Sequence, residues 1–238
     1  MRGFLYGLIA VSIACSSAWA AEAAEDSSES ASGLGFECSG TYASWYSFQG
    51  FDYSDRKPVV QPEAKVSLRS LSVALWGNLD QATENLNELD TTVRWDWEHK
   101  KASGGAGYVN LRYPTREGWE PSQELFVEGA LDGPVQASAN LHWDVQSGRG
   151  AYGCLGLGHE IERSSVTFGV EAKLYAQTHY YGLTGISAAE TRLSLRRTWA
   201  GMEWEPALSR IWTWENGDFR AEDVVVPGWL VSLSFSPP

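Results

Sequence analysis

The chain has 238 residues, of which 43% are hydrophobic, 20% charged and 13% aromatic, a composition that excludes both a disordered chain and a bundle of membrane helices. Its formal net charge of -12 and pI of about 4.8 exclude nucleic acid and anionic lipid as partners held by charge. Twelve Trp and ten Tyr against two Met point to interfaces rather than to an ordinary soluble core.

Residues 1–20 read as an export signal: Arg2 gives a positive start, Phe4 to Ala14 an apolar run, and Ala18-Trp19-Ala20 a small-x-small cleavage site. The competing reading makes Cys15 a lipid-modified terminus, but Ser12-Ile13-Ala14 is a poor lipobox. Residues 21–35, rich in Ser, Glu and Ala, bury too little apolar surface to fold and read as a disordered linker. Residues 36–238 form the remaining domain.

From Phe36 to the end the side chains alternate with period two, predicting an all-β chain of about twelve strands. The first runs from Phe36 to Phe51, with Cys38, Gly40, Tyr42, Tyr46 and Phe48 on its apolar face. The second and third form a hairpin. Val60, Pro62, Ala64, Val66 and Leu68 share one face, the phase flips at Arg69-Ser70, and Leu71, Val73, Leu75, Gly77 and Leu79 take the apolar face of the return arm. A fourth, Leu89 to Trp97, opposes Leu89, Val93, Trp95 and Trp97 to Asp90, Arg94 and Asp96. Val109, Leu111 and Tyr113 mark the apolar face of a fifth, and Leu125, Val127 and Leu131 that of a sixth. The seventh sets Ala137, Ala139, Leu141, Trp143 and Val145 against Gln136, Ser138, Asn140, His142 and Asp144. Strands follow over Ala151–Ile161, Val166–Gln177, Ala189–Leu195, Met202–Trp214 and Val225–Phe235, with a bulge expected near Pro206 and Ile211.

Short and long connections alternate. Arg69-Ser70, Asp132-Gly133-Pro134, Arg163-Ser164-Ser165 and Trp199-Ala200-Gly201 are tight, and Gly104-Gly105 closes a looser turn on the same side. Longer polar loops are expected at 52–57, 81–87, 114–122, 178–187 and 215–223. Tyr46, Phe48, Tyr113, Trp143, Trp212 and Trp214 fall at the long-loop ends, and Trp95, Trp97, Trp204 and Phe235 at the opposite ends, as two aromatic girdles would. Together these features predict a transmembrane antiparallel up-and-down β-barrel in the outer membrane, with both termini periplasmic. A soluble periplasmic sandwich would alternate too, but explains the loop pattern poorly.

Ser44-Trp45-Tyr46-Ser47-Phe48-Gln49-Gly50-Phe51 resembles the first-strand Ser-x-Tyr-x-Phe-x-Gly pattern of the TorF-type porins, a family of small Gram-negative outer-membrane proteins. Pro58-Val59-Val60-Gln61, Trp76-Gly77-Asn78-Leu79-Asp80, Glu124-Leu125-Phe126-Val127-Glu128 and Gly150-Ala151-Tyr152-Gly153 are similar to later segments of that family. The resemblance implies a barrel porin. The chain departs from the family at Trp45 and Gln49, where charged residues are usual, and at its end, where Pro237-Pro238 follow the aromatic Phe235.

The expected function is a porin-like channel for passive passage of small polar or cationic solutes, with outer-membrane lipid and those solutes as its partners and no nucleic acid. Residues expected to line the pore are Glu63, Lys65, Asp90, Arg94, Asp96, Arg112, Glu124, Glu128, Asp144, Glu171, Lys173, Glu190, Arg192, Arg196, Glu203 and Glu205. The acids outnumber the bases, so an open lumen would favour cations. A plugged structural or adhesive barrel is the nearest alternative, since Trp45, Trp76, Tyr108, Phe126 and Tyr175 are all expected to point inward. An outer-membrane enzyme acting on lipid is a further alternative, for which His159 is the one residue to test. No catalytic group, cofactor or metal site is expected. Cys38 and Cys154 are placed at opposite ends and on opposite faces, too far apart to bridge.

Overall fold

The computed structural model describes residues 33–213, 218–219 and 227–237. Among them every regular element is a strand, and no helix is long and apolar enough to cross a membrane. In chain order the strands are β1 (Leu34–Ala43), β2 (Ser47–Phe48), β3 (Phe51–Asp52), β4 (Val59–Leu68), β5 (Leu71–Asp80), β6 (Asn85–His99), β7 (Ala102–Arg112) and β8 (Ser122–Leu131). They continue as β9 (Gln136–Asp144), β10 (Ala151–Arg163), β11 (Val166–Tyr180), β12 (Leu183–Trp199), β13 (Met202–Trp212) and β14 (Gly228–Ser236). All except β2 and β3 join in one closed barrel of twelve antiparallel strands, each paired with its neighbours in sequence. β1 closes the circle, pairing with β4 on one side and β14 on the other.

Closure follows from the alternation. Val66, Leu71, Val73, Leu75, Val127, Leu141, Leu155, Leu157, Val170, Leu193 and Val231 all face outward and are exposed, forming an apolar band on which, among the described residues, no second sheet packs. A flat sheet would leave two unpaired edges, whereas closure satisfies every backbone group laterally. The seam is reinforced by side chains: Thr41 and Ser234 hydroxyls lie 2.9 Å apart, and the amide of Val231 donates to Ser44 Oγ at 3.0 Å.

One end of the barrel carries tight turns at Arg69-Ser70, Lys100-Lys101, Ser164-Ser165 and Ala200-Gly201. Arg69, Lys100, Ser164 and Ala200 have φ between 54° and 57°, the left-handed backbone that suits short hairpins to the twist of their strands. The first and last strands also meet this turn end. The opposite, loop end carries the connections 44–58, 81–84, 113–121, 145–150 and 181–182.

Several elements differ from the sequence expectation. The barrel begins at Leu34, two residues inside the expected linker, and β1 stops at Ala43. Residues 44–58 leave the wall, and β2 and β3 form a separate hairpin within them. Gly104 and Gly105 lie inside β7, and the turn is Lys100-Lys101. These glycines serve close packing: a Cβ on Gly105 would meet the Arg94 guanidinium at 2.6 Å, and one on Gly107 would meet the Phe126 ring at 2.6 Å. The expected loop 178–187 is mostly strand, since β11 and β12 are 15 and 17 residues long and turn at Tyr181-Gly182. No bulge occurs in β13 at Pro206 or Ile211; the observed register shifts lie at Asn78/Leu79, Ala151/Tyr152, Tyr175/Ala176 and Gln177/Tyr180. Trp214 and Val225 lie outside the described residues.

Candidate functional site: a lumen divided by a docked loop

Loop 44–58 is the element that shapes the interior. Its hairpin turns at Gln49 and Gly50, with φ of 54° and 88°, so both central residues take the left-handed conformation that two-residue hairpins favour. The lobe is closed by Tyr53 N donating to Tyr46 O at 2.9 Å and Tyr46 N donating to Ser54 Oγ at 2.8 Å. Asp52 accepts the amides of Ser54 and Arg56 at 3.0 and 2.9 Å. Trp45 anchors the lobe inside the barrel at 3% exposure, packed on Ala188 and Ile211 with Tyr175 and Leu230 alongside. Its Nε1 donates to the Trp229 carbonyl at 2.8 Å, and the Arg56 guanidinium covers the indole at 4.2 Å from its centroid. At roughly 25 cal/mol per Å² over ~150 Å² of apolar surface, burying this ring is worth about 4 kcal/mol.

The docked loop explains the apolar residues on the inner wall. Val109 and Leu111 pair with Thr92 and Asp90, which face inward, and pack with Phe126 and Tyr113. Ile211 faces inward beneath Trp45. The inner wall is therefore greasy where the loop and its aromatic neighbours cover it, and charged elsewhere.

Glu63, Lys65, Asp90, Arg94, Asp96, Glu124, Glu128, Asp144, Glu171, Lys173, Glu190, Arg192, Arg196, Glu203 and Glu205 lie on the inner face by strand register. Arg112 does not. It pairs with Leu89, falls on the outer face at the loop end, and donates to Asn110 Oδ1 at 3.0 Å. Tyr108 is likewise outward, opposite Val93 and Leu125. Both are displaced for one reason: Val109 and Leu111, taken as the lipid face, are the inner face of β7. Tyr46, Phe48 and Tyr113, expected in the girdle, line the lumen instead. Trp143 and Trp212 at the loop end, and Trp95 and Trp97 at the turn end, are exposed on the outer face. Trp204 and Phe235 pair with each other on that face, 5.8 Å apart.

Toward the turn end the inner bases are paired. Lys65 meets Glu37 at 3.1 Å, Arg94 meets Asp96 and Glu128 at 2.5 Å each, and Lys173 meets Glu171 at 2.8 Å. Arg192 meets Glu205 at 2.7 Å, and Arg196 bridges Glu160, Glu205 and Glu203. Glu190 is held by the Tyr175 hydroxyl at 2.9 Å rather than by a base across the strands. A cavity of about 510 Å³ opens beside Arg94, Asp96, Glu98 and Glu128.

Toward the loop end the balance changes. A cavity of about 680 Å³ is lined by Glu63, Glu88, Asp90, Glu120 and Glu124, by His142, and by a shell of Tyr, Trp and Phe rings, with no Lys or Arg lining it among the described residues. Glu124, at 1% exposure, is the structural hub: it accepts from Tyr152 at 2.7 Å and Tyr180 at 3.1 Å, and contacts His142 Nδ1 at 3.0 Å. Asp144 is bound by Ser122 Oγ at 2.6 Å and by the Gln146 amide at 2.9 Å, pinning the connection 145–150. Burial, followed by the charge of Glu88, holds the phenols of Tyr46 and Tyr53 well above their ordinary ionisation range, so both remain neutral donors.

Glu88 was absent from the sequence-derived set although it lies two residues before Asp90 on the same inward row of β6. Extending that alternation by one step would have found it. The aromatic density of 45–53, Trp-Tyr-Ser-Phe-Gln-Gly-Phe-Asp-Tyr, was the signal for the docked loop, since a solvated loop has no use for five large rings. His159 lies on the outer face, its Nδ1 donating to the Pro134 carbonyl at 2.6 Å. Cys38 and Cys154 form no disulfide and sit on opposite faces, Cys38 outward and Cys154 inward.

No family model matches the sequence, and no curated protein matches it. Among solved structures the barrel is similar to that of the NanC porin, with a TM-score of 0.55 and 11% identity over 86% of this chain and 100% of that one. It is similar also to the KdgM porin, with a TM-score of 0.55 and 8% identity over 85% of this chain and 98% of that one. At such low identity the likeness is one of fold.

Proposed function

We propose that this protein is a narrow outer-membrane channel for passive passage of small polar and cationic solutes, belonging with the TorF-type porins and oriented with both termini in the periplasm. The observation that carries the proposal is the sidedness of the closed barrel: an apolar outer band, and an inner wall on which carboxylates exceed the bases that pair with them. A lumen of that sign raises local cation concentration and repels anions, and confinement weakens screening. The fold shared with the NanC and KdgM porins supports a channel. The turn-end bases are engaged by their neighbouring acids, which leaves the loop-end acids to set the sign of the field.

The seated loop 44–58 favours a second reading, a barrel held closed as a structural element, because Trp45 and its neighbours fill lumen cross-section. Proteoliposome swelling decides between them. Lysine should enter vesicles containing the folded barrel faster than glutamate of similar size. No uptake of either, restored on removing the loop, would establish the closed barrel; faster glutamate entry would contradict the channel proposed here. We propose no enzymatic role, in keeping with the engagement of His159 by a backbone carbonyl.

A further inference from the structure

We infer that the loop-end cavity is a binding site for small organic cations of the guanidinium type. The inference rests on the channel function proposed above and names the solute class that its vestibule selects.

Three features of the cavity point there. First, its size, about 680 Å³, is that of a small-molecule site rather than an ion cage. Its carboxylates are spread around the wall, and among the described residues no group of three or more His, Cys, Asp or Glu converges as metal ligands would. Second, its described lining residues carry acids and no Lys or Arg, and the one charge that bears on Glu88 with opposite sign is that of Arg116, from the connection 113–121 outside that lining. Glu88 is buried at 5% exposure, and Asp90, two residues along β6, has a buried Oδ1 with no hydrogen-bond partner. Like charges held close in a confined space repel, and a cation entering between them relieves that repulsion. Third, the rest of the wall is aromatic. Tyr46 and Trp76 lie 5.9 Å apart at 55°, and Tyr113 and Tyr53 meet Trp119 edge to face at 5.0 and 5.4 Å. Rings tilted against one another offer faces as well as edges, and ring faces attract cations.

The chain itself supplies an example of the chemistry. Arg116, on the connection 113–121, places its guanidinium 4.3 Å from the Trp119 ring and 5.4 Å from the Tyr53 ring, and donates to the Tyr53 carbonyl. These rings thus already accept a planar cation. A guanidinium within the cavity would meet the neighbouring rings Tyr46, Trp76 and Tyr113 in the same way and turn its fork of N–H donors toward Glu88 and Asp90, matching planar donors to carboxylate acceptors. An inorganic ion would gain the charge term but not the stacking, and a neutral isostere the stacking but not the charge.

Ligand-observed NMR titration of the detergent-folded full chain tests this without recourse to conductance. The probes are ethylguanidinium, its neutral isostere ethylurea, and potassium or calcium as competitors at equal ionic strength. Ethylguanidinium should bind saturably, and ethylurea about tenfold more weakly or not at all. The Glu88→Gln, Asp90→Asn double variant should weaken ethylguanidinium binding about tenfold. Tyr113→Leu, on the connection 113–121 outside the barrel strands, should also weaken it. Equal binding of ethylurea, displacement by potassium or calcium at equal concentration, or no saturable binding would each overturn the inference. A cation-selective channel without ethylguanidinium binding would refute the site and leave the channel standing, whereas binding by a barrel that conducts nothing would do the reverse.

Discussion

At the scale of single residues, the inner wall consists of pairs whose worth depends on exposure. Arg94 is partly exposed, as are its partners Asp96 and Glu128, so Arg94→Ala should cost only about 1 kcal/mol of stability. It should nonetheless free two carboxylates into the lumen, and the reversal potential of the variant should shift further toward the cation limit. An unchanged potential would place Arg94 outside the ion path. Tyr46 and Tyr53 make a second residue-scale prediction. Burial and the charge of Glu88 raise both phenols, so only an undocked loop ionises near the ordinary tyrosine value of about 10. The stabilisation they lend to docking is present below that pH and is lost as pH rises above it. Absorbance of the phenolate should therefore lag for these two residues; complete tyrosine ionisation near pH 10 with the loop still docked would contradict their burial. The inward rows Asp90-Arg94-Asp96 and Glu124-Glu128 were legible in the sequence because β6 and β8 alternate cleanly. Arg112 and Tyr108 were not, because hydrophobicity alone cannot tell an apolar residue facing lipid from one facing a docked loop.

At the scale of elements, loop 44–58 accounts for most of the mismatch between sequence and fold. Ser44 to Phe51 alternates like a strand, and its rings resemble a girdle, yet it leaves the wall after Ala43 and folds inward. The same loop turns Val109, Leu111 and Ile211 into inner-wall residues, while β13 keeps one register throughout, its pairing with β12 lapsing only at Glu205 and Pro206. Replacing 45–57 by a Gly/Ser linker should leave the heat-modifiable gel mobility of the barrel intact and raise single-channel conductance, since the barrel wall closes without this segment. Loss of the heat-modifiable form would mean that the loop is required for closure. β7 packs closely at its glycines. A side chain at Gly107 would collide with Phe126 and the Val93 carbonyl, so Gly107→Val should destabilise the barrel by about 2 kcal/mol in urea unfolding from lipid vesicles. A neutral effect would show that Phe126 can swing clear.

At the scale of the whole molecule, the twelve-strand closed barrel and its apolar outer band were legible because period two persists through nearly every strand and the turn end is marked by short polar dipeptides. Lumen shape was not legible, because it depends on where one connection packs rather than on any strand. The division of charge is a property of the assembled interior: bases cluster with acids at the turn end, while Glu88, Asp90 and Glu124 face an aromatic vestibule at the loop end that no Lys or Arg lines among the described residues. The most direct test of the central claim is the zero-current potential of the folded full chain in a planar bilayer under a tenfold potassium chloride gradient. A cation-selective lumen predicts a potential of cation sign, bounded by about 59 mV for perfect selectivity. A potential of anion sign would contradict the account.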